Sequence, residues 1–83
     1  MKLANLSYEQ LRSLVGIAIS QHVIDVLDEV ILPDANVFLC RRLNKRFNLK
    51  YDVDYGSVLE PVDKHTVSEL GELETILLGA LKS

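Results

Sequence analysis

Tryptophan is absent, aromatic residues make up only 6% of the 83, and cysteine occurs once, at Cys40. Any core must therefore be aliphatic. One cysteine closes no internal disulfide, and His22 and His65 lie far from it in sequence, so no structural metal cluster is spelled out. Long apolar runs are also missing. The longest, residues 14–19 and 76–81, fall well short of the ~20 residues that span a bilayer. Nothing apolar precedes Ser7, Glu9 and Gln10 in the manner of a secretory leader, so the expected location is cytoplasmic, with no membrane association. The length fits one domain, residues 1–83. A chain of this size buries roughly 60–65% of its unfolded surface, which makes self-association a reasonable source of extra stability.

What is present is ordinary in bulk and uneven in detail. Apolar residues account for 48% and charged residues for 25%, a globular composition that excludes disorder. Nine bases against twelve acids give a net charge of −3, unfavourable for a protein that coats nucleic acid. Residues 41–50 nevertheless carry five bases (Arg41, Arg42, Lys45, Arg46 and Lys50) and no acid.

Helical spacing dominates the apolar pattern. Ser7-Tyr8-Glu9-Gln10 reads as a capping box, with Leu6 placed to staple against Leu11. Leu11, Leu14, Val15, Ala18, Ile19, Val23, Val26, Leu27, Val30 and Ile31 then recur at helical intervals up to Pro33. They predict one long helix over residues 7–31, or two broken around residues 16–20. A further helix over about 34–47 follows from Val37, Cys40, Leu43 and Phe47, with the basic residues on its opposite side and Phe38 among them. Tyr51, Val53 and Tyr55 alternate with Asp52 and Asp54, so a short extended segment is expected near residues 49–56. Pro61 keeps residues 58–62 out of any central strand. Thr66-Val67-Ser68-Glu69 is a second capping box, opening a last helix to about Leu81. The expected fold is all-α, a small bundle of three to four helices.

Catalytic chemistry finds little support. Cys40 falls on an apolar helix row, where a thiol is inert packing. His22 falls on the apolar side of the first helix, as a packed or boundary residue, and His65 precedes the Thr66 cap, facing solvent. Asp52, Asp54, Gly56 and Asp63 resemble a calcium loop, but from Asp52 the glycine arrives one position early and the last acid is aspartate, not glutamate. No enzyme activity, metal or cofactor is expected.

Two family resemblances point elsewhere. Leu6-Ser7-Tyr8-Glu9-Gln10-Leu11 followed by Val15-Gly16-Ile17 resembles the first helix and turn of phage-repressor helix-turn-helix domains, implying DNA binding. That pattern wants a small residue at position 12 and apolar ones at 22 and 25, where this chain has Arg12, His22 and Asp25. Asp25, Asp28 and Glu29 would also face phosphates. Leu43-Asn44-Lys45-Arg46-Phe47-Asn48-Leu49 and Thr66-Val67-Ser68-Glu69-Leu70 are similar to the end of helix II and the start of the last helix in acyl and peptidyl carrier proteins. That likeness implies a four-helix fold, but Leu32-Pro33-Asp34 stands where those proteins place the serine that bears phosphopantetheine.

The remaining feature is the basic cluster. Arg41/Lys45 and Arg42/Arg46 stand four residues apart, a repulsive spacing on a helix. One explanation pairs them with acids of the last helix (Glu69, Glu72, Glu74) or of the first. The other makes Phe38, Arg41, Arg42, Lys45 and Arg46 a binding face. The function expected from sequence is thus a non-enzymatic helical interaction module that binds a protein partner, acidic by complementarity, through a basic helix face, as a homodimer. A DNA-binding regulator and a carrier-like fold without the serine are the alternatives.

Overall fold

The computed structural model describes residues 2–82. After a 3-10 turn at Leu3–Asn5 come helix α1 (Tyr8–Ser20), strands β1 (Asp25–Leu32), β2 (Ala35–Arg42), β3 (Lys45–Asp52) and β4 (Gly56–Pro61), and helix α2 (Val67–Lys82). The strands form one antiparallel sheet in the order β1-β2-β3-β4. Leu11, Leu14, Val15 and Ala18 of α1 and Leu73, Leu77 and Ala80 of α2 meet Phe38, Cys40, Phe47 and Leu49 in a single core. The helices thus cover one face of the sheet. Among the described residues, no helix is long and apolar enough to cross a membrane.

The expected all-α bundle is overturned. Two helices flank a four-stranded antiparallel sheet, an α/β arrangement, and the middle of the chain is strand throughout. The helix starts agree with the sequence. Ser7 and Gln10 cap α1 reciprocally, and Thr66 Oγ1 accepts from the Glu69 N–H while Glu69 Oε1 accepts from the Thr66 N–H. The first helix stops early, however. His22 takes a left-handed φ of 59°, the His22 N–H donates to Ile19 O, and the Val23 N–H donates to Ala18 O. This is a Schellman ending with histidine where glycine is usual. Residues 25–32 are therefore not the recognition helix that the helix-turn-helix resemblance requires.

The helix expected over 34–47 is a hairpin. Val37, Phe38, Leu39 and Cys40 read as a continuous apolar run because β2 has apolar neighbours on both faces. Phe38 and Cys40 enter the core, and Val37 and Leu39 lie on the other side. Leu43 and Asn44 turn the chain at φ of 52° and 64°, the signature of a type I′ turn. A leucine in that conformation costs about 1 kcal/mol, which strand pairing on either side offsets.

Candidate functional site

Strand β1 occupies one edge of the sheet and, among the described residues, pairs only with β2. Directly opposed residues of an antiparallel ladder share a face, so the register with β2 sorts its side chains. Val26 (opposite Cys40), Glu29 (opposite Phe38) and Ile31 (opposite Asn36) point to the helix side. Asp28 (opposite Leu39), Val30 (opposite Val37) and Leu32 (opposite Ala35) point to the open side. A bulge between Val26 and Asp28 shifts the alternation at Leu27. Leu27, Val30, Ile31 and Leu32 are 49%, 37%, 78% and 46% exposed, so the strand shows aliphatic surface on both faces. Its outer backbone groups have no strand beside them.

A polar network fastens β1 to the rest of the molecule without covering that edge. Arg12 Nη1 donates to Tyr8 Oη at 3.0 Å and to Glu29 Oε2 at 3.1 Å, and Asn36 Nδ2 donates to the same carboxylate oxygen at 3.0 Å. The Asn36 amide, assisted by Arg12, holds the Glu29 carboxyl below its ordinary range. Glu29, then Tyr8, raises the Arg12 guanidinium in turn. Tyr8 also leans on Tyr51 of β3, ring centres 5.7 Å apart. Asp28 stands outside this network. Its Oδ1 accepts from the Glu29 N–H at 2.8 Å, and among the described residues no cation pairs with it.

The basic residues singled out from sequence lie on a hairpin, not on a helix. Phe38 is 4% exposed and belongs to the core, which removes it from any contact surface. Arg41 opposes Arg46 and Arg42 opposes Lys45 across the Leu43-Asn44 turn. Like charges so placed repel, and acids from three segments offset them. Asp25 pairs with Arg41 at 3.6 Å. Glu69 of α2 pairs with Lys45, an acid that the sequence offered for this role. Asp63 takes the Arg46 Nε and Nη2 at 3.2 and 3.1 Å and the Arg46 backbone N–H at 2.8 Å. Lys45, with help from the Thr66 backbone N–H, brings the Glu69 carboxyl down to about 2. Arg42 is the member without an acid among the described residues, and its Nε is buried with no hydrogen-bond partner.

The groups that could carry chemistry are dispersed and occupied with structure. Cys40 is 1% exposed, and burial pushes its thiol up to about 12, so no thiolate forms near neutral pH. His22 terminates α1, and His65 Nδ1 lies 2.8 Å from Asp63 O. Asp52 Oδ1 accepts from the N–H groups of Asp54 and Tyr55, so of the residues resembling a calcium loop Asp52, Asp54 and Gly56 form the β3–β4 turn, while Asp63 lies beyond β4 on Arg46. Among the described residues, no three His, Cys, Asp or Glu side chains gather as metal ligands.

The exposed edge of β1 was hidden in the sequence because Val26, Leu27, Val30 and Ile31 fit a helical period once the bulge is counted in. The available signal was the run Val30-Ile31-Leu32 leading into Pro33-Asp34, aliphatic residues ending at a turn. Comparison with family models, with curated proteins and with solved structures finds no match to this chain.

Proposed function

We propose that this protein is a non-catalytic interaction module that receives an extended segment of a partner protein alongside β1, enlarging the sheet by one strand. The observation that carries this reading is the state of β1, paired on one side only and aliphatic on both faces. An added strand would satisfy outer backbone groups beyond the Glu29 N–H, which Asp28 already holds, and shelter Val30, Ile31 and Leu32. The inaccessible Cys40 and the separated histidines support a non-catalytic role. The basic hairpin is a weaker candidate for the main surface. An acidic partner there would displace Asp25, Glu69 or Asp63 from pairs already formed, leaving a small net gain.

Selection of extended peptides from a displayed library tests the reading. Selected peptides are expected to perturb the β1 amides and to lose at least about tenfold in affinity, or 1.4 kcal/mol, against the variant Ile31→Lys/Leu32→Lys. Both positions are exposed, so the variant should retain its fold, which its β2 and β3 amide spectrum checks. Peptides that bind wild type and variant equally would place the working surface elsewhere. The hairpin tip is then next, since Leu43 stands 79% exposed between Arg42 and Lys45.

A further inference from the structure

The edge of β1 is divided along its length. Its acids Asp25, Asp28 and Glu29 fall within its first five residues, and its last three are Val30, Ile31 and Leu32. Two of the three acids already have cations, Arg41 for Asp25 and Arg12 for Glu29. Asp28 is exposed on the open face and has none among the described residues. Its neighbours on that face, Val30 and Leu32, are aliphatic.

A second copy of the chain is a poor match for this pattern. Self-pairing that keeps both helix layers on one side can centre on Val30. It then sets Asp28 opposite the other copy's Leu32 and Glu29 opposite its Ile31. Beyond Leu32 the chain turns away from the edge at Pro33-Asp34. No cation is delivered to Asp28. A segment that begins aliphatic and ends basic, running antiparallel to β1, meets each position with its complement.

On the reading of β1 as a strand-accepting edge, we infer that the segment it takes is an antiparallel strand of another protein, aliphatic toward Leu32 and Val30 and cationic toward Asp28. Asp28 is then the specificity-determining residue of the edge, and Val30 and Leu32 supply the apolar contact.

Two blocked peptides test this, acetyl-Val-Thr-Val-Thr-Lys-Thr-amide and the same sequence with glutamate in place of lysine. Each is titrated into the labelled protein at low salt and followed by backbone amide shifts. The lysine peptide is expected to move the β1 amides and to bind about tenfold more tightly than the glutamate peptide, with the gap shrinking at 1 M salt. Asp28→Asn should abolish the preference, and Asp28→Lys should reverse it; both substitutions are at an exposed position. Equal affinities with β1 shifts would overturn the charge inference and leave the strand-accepting edge standing. If neither peptide shifts β1, the edge itself is not a receptor and both readings fall. A two-chain solution mass that Ile31→Lys reduces to one chain would show that a second copy holds the edge, which also overturns the inference.

Discussion

Strand β4, at one edge of the sheet, ends in Pro61, which has no N–H to offer a neighbour. It begins at Gly56, at a φ of 79°, where the N-terminal segment lies so close that a Cβ would sit 3.0 Å from Ala4 O. Between them Ser57 Oγ donates to Leu6 O at 3.0 Å, and Leu3 and Leu6 are buried beside the strand, 4% and 3% exposed. Strand β1, at the opposite edge, has no proline within it and, among the described residues, no segment laid along it, and it displays Leu27, Val30, Ile31 and Leu32. Proteins commonly blunt their sheet edges against unwanted pairing. Here the blunting is concentrated on β4, while β1 carries only its bulge and the charges of Asp28 and Glu29. An edge left uncovered in this way remains open to a strand of complementary charge.

That contrast can be broken from the closed side first. Leu3→Ala removes a buried side chain from the segment covering β4 and should cost about 2–3 kcal/mol in urea unfolding. Gly56→Ala should cost about 1–2 kcal/mol, because alanine resists the left-handed backbone and its Cβ meets Ala4 O. A smaller effect is expected at the tie between the hairpin and α2. The Glu69 carboxyl is held down to about 2 by Lys45 and the Thr66 N–H. Its contribution is therefore full above the ordinary glutamate range and is lost as pH falls toward 2. Thermal melts of Glu69→Gln should be less stable than wild type at pH 6 and should converge with it near pH 2. The smallest effect belongs to the open edge, where Ile31→Thr should change stability by less than about 0.5 kcal/mol. A cost above 1 kcal/mol there would mean that Ile31 is sheltered within the isolated chain.

The two ends of the molecule were the legible part of the sequence. The capping boxes at Ser7 and Thr66 opened helices as their spacing demanded. The apolar row Leu73, Leu77 faced the core, and Pro61 came to rest on an edge strand. The middle is illegible to local periodicity because each strand signal is masked by a local substitution of the usual residue. His22 does the work of a C-terminal glycine, and Leu43-Asn44 makes a turn usually written Asn-Gly. The β1 bulge destroys strict alternation, and β2 hides it by having apolar neighbours on both faces. Of the candidate site, the charge of residues 41–46 was visible, and so was the acid Glu69 that answers Lys45. The burial of Phe38 and the bare edge of β1 depend on strand order, which local periodicity does not encode.

Amide hydrogen exchange of the isolated protein, followed residue by residue in dilute solution, tests the asymmetry of the two edges most directly. With a free outer edge, protection along residues 25–32 should alternate. Amides directed at β2 should exchange slowly and those directed outward at nearly unprotected rates, apart from the Glu29 N–H held by Asp28, with one interruption at Leu27. Strand β3, paired on both sides, should be protected at successive residues. Continuous protection along β1 at low concentration would contradict the free edge, and with it the proposal that a partner's strand is received there.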